Sequence, residues 1–261
     1  MISLSNMNPI KTKAIFLKIL PHKEFDSIVY FYTEKLGKVE IKLKGAKRIQ
    51  SKLIGFCQPF VQSTLFIAKG KNTYHLIGGE IDKRFEKINC NYLKLFLVSY
   101  VLELVDKFTK LNKPEKRIFS LILKTLESIE EYKPGQAFIV LYAFIVKFIS
   151  FLGYAPELIH CVNCNKKIKE RTLFFNIKSG GVVCLDCHQN KKIEGSRLEF
   201  KTYELILLFL YKNFDFWINK KKISLKNLKE ATEFIDKLAQ WCIDEELSSG
   251  KVLRQFIKIY A

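Results

Sequence analysis

The sequence predicts an α+β protein in which an N-terminal domain of about five strands precedes an α-helical domain. Three observations support this class. From Lys13 to Glu80, short apolar runs alternate with polar residues at period two. Beyond residue 88 the apolar period changes to that of a helix. Two Cys-x-x-Cys pairs between residues 158 and 192 predict a small module inserted in the helical part.

The N-terminal strands are separated by turn residues at 21–23, 35–37 and 69–72. The clearest predicted strand is 38–44, where alternation separates two faces. Its core face holds Val39, Ile41 and Leu43, and its solvated face holds Lys38, Glu40, Lys42 and Lys44. The run 27–33 is β-branched and aromatic, and we expect at least one of Tyr30 and Tyr32 to pack in the core.

Residues 44–56 fit neither period and concentrate positive charge between glycines. We interpret them as a basic connector between the third and fourth strands. Residues 1–80 contain 13 lysines and arginines against 5 acidic residues, a formal charge of +8, and the other 181 residues carry the remaining +10. The β domain is therefore predicted to be the more basic part.

Helical spacing begins near Leu93, which places the predicted domain boundary near residue 82 and gives domains 1–82 and 83–261. Pro114 is expected to open the next helix. The pair Pro134–Gly135 separates that helix from an apolar one over 136–152, which Gly153 and Pro156 end. Two more helices are predicted near 201–217 and 225–246.

The cysteine spacing is the strongest motif in the chain. Cys161 and Cys164 precede Cys184 and Cys187 by a 19-residue gap, which is typical of a tetrahedral zinc site. Two residues between thiolates let a tight turn direct both sulfurs at one ion, and two such knuckles complete a four-sulfur shell. We predict one structural Zn²⁺ in a zinc-binding module over 158–192, because four thiolates leave no open position for catalysis. Residues 171–176 and 180–183 are expected to form its hairpin.

The two flanking histidines and the three isolated cysteines are not predicted to bind the metal. His160 and His188 flank the outer cysteines, but the four thiolates already complete the shell, so we expect them to support the site or face solvent. Cys57, Cys90 and Cys242 have no comparable neighbours, and an isolated cysteine is usually a small buried hydrophobe.

The expected compartment is the cytoplasm. The stretch 1–9 is polar and lacks the apolar core of a secretory signal. The most apolar stretch, 137–152, is shorter than the roughly 20 residues that a bilayer requires and contains Lys147, so we interpret it as a buried core helix. No membrane association is predicted.

The formal charge of +18 favours a polyanionic partner, with nucleic acid first and an anionic membrane surface second. The sequence contains no Gly-rich phosphate loop ending in Gly-Lys-Ser/Thr, no paired-Asp metal motif and no convincing Ser-His-Asp arrangement. Glu24 and Asp26 are assigned to a strand-connecting turn rather than to a catalytic pair. The protein is therefore not expected to be an enzyme.

The ordered N-terminal motifs resemble those of the RecO family. They are the stretch 21–27 (PHKEFDS), the stretch 32–38 (YTEKLGK), the stretch 44–48 (KGAKR) with Ser51 and Leu53, and Gln58–Phe60. The resemblance continues through 152–156 (LGYAP) to the knuckle at Cys161 and covers nearly the whole chain, although residues after about 195 are recognisable only as helices. It implies an N-terminal five-stranded OB-fold β-barrel. Some family members lack the metal ligands, so zinc is not required for the implied activity.

By this resemblance, the protein is expected to bind single-stranded and double-stranded DNA and to anneal complementary strands. It is also expected to work with RecR in loading the RecA recombinase onto DNA coated by single-strand-binding protein. OB folds bind single strands by running phosphates along a basic groove and stacking bases on aromatic rings. The predicted phosphate contacts are Lys44, Lys47, Arg48 and Lys52, with Lys35, Lys38 and Lys42 as further candidates.

Two alternatives share some of these features. An RNA-binding OB-fold protein with a zinc ribbon would have the same basic and aromatic residues, and it is disfavoured only by the ordered RecO-like motifs. A nuclease would need a divalent-metal carboxylate site, for which the sequence offers no candidate.

Overall fold

The computed structural model describes residues 9–45, 52–70, 73–169, 171–216 and 225–242. The chain divides into two compact units, Met1–Tyr132 and Lys133–Ala261. The first contains a barrel and three helices. The second contains the remaining helices and the cysteine module.

Five strands form a closed barrel in the order β1-β2-β3-β5-β4. Neighbouring strands are antiparallel except β3 and β5, which are parallel. This is the five-stranded Greek-key arrangement of an OB fold and confirms the predicted class. The strands are β1 (Ile10–His22), β2 (Asp26–Thr33), β3 (Gly37–Leu43), β4 (Val61–Lys69) and β5 (Tyr74–Arg84).

Alternation along the strands builds the barrel core. Val39, Ile41 and Leu43 are almost fully buried, as period two predicts, and they pack with Phe31 and Leu65. Within the predicted basic connector, residues 52–56 form a short 3₁₀ helix whose Leu53 and Phe56 pack against this core. The connector residues 46–51 lie outside the described residues.

Three helices complete the first unit: α1 (Glu86–Asn89), α2 (Tyr92–Phe108) and α3 (Lys116–Glu131). The Asn91 side chain accepts a hydrogen bond from the Lys94 N–H, which caps α2 as a polar N-cap should. The Glu130 carboxylate accepts hydrogen bonds from the N–H groups of Lys87 and Ile88, while the Lys94 ammonium donates to the Glu130 carbonyl at 2.7 Å. These contacts connect α1, α2 and α3.

In the second unit, α4 (Pro134–Ile149) is followed by a π-helical turn, Ser150–Tyr154, where Gly153 has φ of 97°. Helix α4 packs against α6 (Phe200–Tyr211) and α7 (Leu225–Cys242). The span Gly135–Tyr154 is long and apolar enough to cross a bilayer by composition alone. However, the Phe144 and Phe148 side chains are fully buried, and the Lys147 ammonium donates to the Leu210 carbonyl at 2.8 Å, as in a core helix.

The cysteine module combines the short helix α5 with a three-stranded sheet in the order β7-β6-β8. The predicted hairpin strands are present as β6 and β7, whereas β8, which pairs with β6, was not predicted. The Phe175 ring meets the Phe234 ring of α7 edge-on at 4.5 Å, which attaches the sheet to the helices of this unit. The module's elements are β6 (Thr172–Asn176), β7 (Gly181–Val183), α5 (Leu185–Asn190) and β8 (Ser196–Glu199).

Candidate nucleic-acid surface and metal centre

The outer face of β2 and β3 is the face on which OB folds commonly bind oligonucleotides. One half of it is covered by the connection between α2 and α3. The Tyr32 hydroxyl donates to the Glu115 carbonyl at 3.4 Å, and the Asn112 N–H donates to the Lys38 carbonyl at 2.8 Å. A nucleic acid using this face is therefore restricted to its other half.

Lys38 belongs to the covered half. It is only 9% exposed, its ammonium lies 2.7 Å from the Asp106 carboxylate, and it also donates to the Asp106 carbonyl. The prediction that Lys38 lies on a solvated face is wrong, because alternation assigns a side chain to a face but does not reveal which helix packs there. Lys38 is therefore not part of the candidate surface.

Tyr30 lies beside this ion pair, and Lys18 contributes a second ammonium to Asp106 at 2.6 Å. The Lys18 and Lys38 ammonium groups approach the Tyr30 ring at 4.8 and 5.4 Å from its centroid. The Tyr30 hydroxyl donates to the Glu40 carboxylate at 2.7 Å. That hydrogen bond, helped by burial, raises the pKa of Tyr30 to about 12. Tyr32 is fully buried, as expected for at least one of the two tyrosines, and it lies under the α2–α3 connection.

The half that the α2–α3 connection leaves open contains Lys42, which is half-buried, and Lys44, which is exposed. Both lie near the β1–β2 turn, because the Asp26 carboxylate accepts a hydrogen bond from the Gly45 N–H at 2.9 Å. This hydrogen bond lowers the pKa of Asp26. Asp26 thus ties two loops together, in keeping with the turn role predicted for it.

Sequence reasoning missed Phe25 at this end of the barrel. Phe25 lies in the turn between β1 and β2 and exposes 45% of its surface. Its position beside Lys23 and near Lys44 follows from the Asp26–Gly45 hydrogen bond. An aromatic residue within a polar strand-connecting turn was the available signal.

The remaining predicted contacts are distributed differently. Lys35 is exposed in the β2–β3 turn, at the opposite end of β3 from Lys44. The seven residues of β3 separate these ends by about 20 Å, so the structure does not bring the two lysines together. Lys47 and Arg48 lie outside the described residues, and Lys52 begins the 3₁₀ helix, with its side chain outside the described part.

The four predicted metal ligands converge. The Sγ atoms of Cys161, Cys164, Cys184 and Cys187 all lie within 4.8 Å of one another, and all but Cys164 are buried. The Cys164 and Cys184 sulfurs are 3.7 Å apart, close to the roughly 3.8 Å that tetrahedral zinc with 2.3 Å bonds to sulfur requires. This donor set and geometry fit a metal ion such as zinc.

Backbone and side-chain donors surround these sulfurs. The Cys184 N–H donates to Cys161 Sγ at 3.4 Å, and the Asn163 amide donates to Cys187 Sγ at 3.2 Å. Burial opposes ionisation of Cys161, but backbone hydrogen bonds outweigh it and lower the pKa of that thiol to about 6. Burial raises the pKa of Cys184 to about 12. The site therefore favours some thiolate before metal binding, and a bound cation would be needed to hold all four.

Neither flanking histidine is among the clustered ligand atoms. His188 stacks on Phe174, with 3.6 Å between ring centroids, and its Nδ1 lies 2.8 Å from the Ile193 carbonyl. The His160 ring is exposed beside the Glu157 carboxylate. Of the isolated cysteines, Cys57 is buried as expected, whereas Cys90 is exposed, because it directly follows the short α1 at the surface.

Comparisons with known proteins agree with this architecture. Residues 7–85 match the family model described as "Recombination protein O N terminal", and residues 91–251 match "Recombination protein O C terminal". The chain belongs to the RecO family. A DNA repair protein RecO from Thermoanaerobacter sp. (strain X514) is 29% identical over 96% of this chain and 98% of its own.

Other RecO proteins give similar coverage. The relative from Caldanaerobacter subterraneus is 31% identical over 78% of this chain and 81% of its own. The Bacillus subtilis relative is 28% identical over 85% and 83%, respectively. Each is called a DNA repair protein, a description that does not refer to a catalysed reaction.

Proposed function

We propose that this RecO-family protein binds single-stranded and double-stranded DNA and anneals complementary strands in the cytoplasm. With RecR it would help to load RecA onto DNA coated by single-strand-binding protein, without itself acting as an enzyme. The observation that supports this most is the closed OB-fold barrel with an uncovered basic end on its β2–β3 face. DNA repair is the family's role, and that end offers a site of the required chemistry.

In this proposal Lys42 and Lys44 contact phosphates, together with Lys47, Arg48 and Lys52 of the connector. Lys35 extends the positive field from the far end of the strands. Phosphate contacts give affinity that falls with salt, with a slope of about 0.7 per contact for single strands. The exposed Phe25 ring supplies a stacking surface, worth about 1 to 3 kcal/mol per base.

Annealing follows from such weak, non-specific contacts. Lysines screen the repulsion between two strands, while contacts to the phosphates leave the base edges available for pairing. The ion pair of Lys38 with Asp106 keeps that lysine engaged with protein, so it does not add to the positive field of the groove.

The metal proposed for the cysteine cluster is one structural Zn²⁺, held by Cys161, Cys164, Cys184 and Cys187. When bound, zinc would cross-link the turn after Leu158 to the start of α5, contributing folding energy rather than a reaction. The buried Tyr203 hydroxyl, which donates to the Leu158 carbonyl at 2.8 Å, already connects this segment to α6. Loss of the metal is therefore expected to loosen this module first.

The test is annealing of complementary strands coated with single-strand-binding protein, with and without RecR, over a salt series. The K44A/K47A/R48A variant should anneal more slowly and show a salt slope smaller by about 2, the loss of three contacts. The matched control, K201A/K229A/K237A, removes three exposed lysines from α6 and α7 and should behave as wild type. If the wild type ignores DNA but binds RNA of the same sequence, the proposal fails and the RNA-binding alternative replaces it.

A further inference from the structure

The cysteine module carries a basic surface that the barrel-based proposal does not use. Residues 158–192 contain seven lysines and arginines against two acidic residues, a formal charge of +5 in 35 residues. The whole chain carries +18 in 261 residues, so positive charge is about twice as dense in the module. The basic side chains described there are exposed, as is Arg197 of β8.

Two apolar anchors place these charges around one centre. Ile168 and Ile193 both pack against the cysteine cluster. Lys167 and Lys169 flank the first anchor, and Lys192 precedes the second, and all three are exposed. Arg197 pairs with Phe174, which also packs against the cluster. Lysines from two separate segments therefore surround the same pair of knuckles.

The backbone under these lysines is held by hydrogen bonds. The Cys161 N–H donates to the Lys166 carbonyl and the Ile168 N–H to the Ile159 carbonyl, both at 2.9 Å. The Ile193 N–H donates to the Cys187 carbonyl at 3.3 Å. Because these backbone segments are already held in the folded protein, binding a ligand would not require additional free energy to order them.

Acidic partners are sparse among the described residues of this surface. Within the described part of the module, Lys178 has an acidic partner, the Glu194 carboxylate at 3.8 Å. No such pair is formed by Lys167, Lys169 or Lys192 among the residues that the structure describes. A dense and ordered set of ammonium groups suits a polyphosphate backbone, which needs no sequence-specific donors.

We infer that this surface binds the phosphate backbone of a second nucleic-acid strand while the barrel holds the first. The inference rests on the proposed function and extends it, since it gives annealing two strand sites, one on each compact unit. The surface consists of Lys166, Lys167, Lys169, Lys191, Lys192 and Arg197.

The test uses the full-length, zinc-loaded protein with the substitutions K167A, K169A and K192A combined. Each lost phosphate contact reduces the slope of log affinity against log salt concentration by about 0.7, so three lost contacts reduce it by about 2. If the two proteins bind equally at 1 M salt, the module's site in the variant should bind DNA about 100-fold more weakly than in the wild type at 0.1 M salt. With a short non-complementary oligonucleotide at saturation, the wild type should bind two copies and the variant one. The annealing rate should fall at least tenfold, while the variant's remaining site keeps its affinity within about twofold.

Three controls accompany this variant. Its zinc content and circular dichroism must match those of the wild type. K167R/K169R/K192R retains the charge and should restore both stoichiometry and annealing. K201A/K229A/K237A removes the same charge elsewhere in the second unit and should change neither.

The possible failures are distinguishable. If K167A/K169A/K192A binds two oligonucleotides and anneals at the wild-type rate, the second site is refuted. If the wild type binds one oligonucleotide, and K44A/K47A/R48A abolishes that binding, the second site is refuted while the proposed function stands. If the wild type binds no DNA, both fall together.

Discussion

Replacing Gly37 by alanine should strongly destabilise the first unit, because the added methyl group has no room. Gly37 has φ of 69°, and an added Cβ would lie 2.3 Å from the Lys113 carbonyl oxygen and 2.9 Å from Pro114 Cα. Both obstacles are backbone atoms of the α2–α3 connection, so a rotamer change cannot relieve the overlap. Left-handed backbone costs alanine about 1 to 2 kcal/mol, and overpacking about 1 to 3 kcal/mol.

The free energy of unfolding should therefore fall by about 2 to 5 kcal/mol, measured by urea titration followed by circular dichroism. Two controls separate the terms. Gly153 has φ of 97° but no atom within 4 Å of an added Cβ, so Gly153→Ala should show the backbone cost alone. Gly78 has neither a positive φ nor a close neighbour, so Gly78→Ala should show neither effect. A Gly37→Ala variant within about 0.5 kcal/mol of wild type, the range of ordinary surface changes, would refute the packing of the α2–α3 connection on β3.

Three further predictions follow from buried groups. Asp106→Ala should lower the free energy of unfolding by about 3 to 5 kcal/mol, because it leaves the Lys38 ammonium buried without its carboxylate partner. Urea titration would contradict this if Asp106→Ala lost no more stability than the double variant Asp106→Ala/Lys38→Met. Cys184→Ser should lower zinc content and the melting temperature of the second unit, and in the wild type zinc affinity should fall as pH falls because thiols reprotonate; zinc binding independent of pH between 8 and 6 would argue against thiolate ligation. Burial raises the pKa of Cys57 to about 12 from 9.0, so the thiol ionises first in the unfolded state and stability is lost as pH rises above 9. Cys57→Ala should remove up to about 1.4 kcal/mol per pH unit of that loss between pH 9 and 10. An unchanged dependence of stability on pH would show that this thiol ionises in the folded state.

The local patterns of the sequence were sufficient for most of the fold. The alternation through Val39, Ile41 and Leu43 predicted β3 to within one residue at each end, and the cysteine spacing predicted the convergence of all four sulfurs. Both features depend on neighbours in sequence or on a motif with few geometric solutions. That is why composition and spacing could reveal them.

The errors came from long-range packing. Lys38 looked solvated because its ion-pair partner, Asp106, lies 68 residues away on a helix whose docking side no pattern reveals. Strand β8 was missed because Ser196–Glu199 has a single buried residue, Leu198, and acquires strand structure from pairing with β6. The approach of the β1–β2 turn to Gly45, through the Asp26 hydrogen bond, was likewise not predictable from local pattern.

Among the residues that the structure describes, the parallel contact of β3 with β5 closes the barrel through two residue pairs, Ile41 with Tyr74 and Lys42 with His75. Local opening requires the least free energy where the fewest backbone hydrogen bonds must break, so we expect the barrel to open first at this seam between β3 and β5. An opened seam exposes a bare strand edge, which invites pairing with another chain. A lysine on such an edge discourages that association. Lys42 lies on this edge, so its ammonium group is expected to disfavour pairing of an opened barrel with another chain.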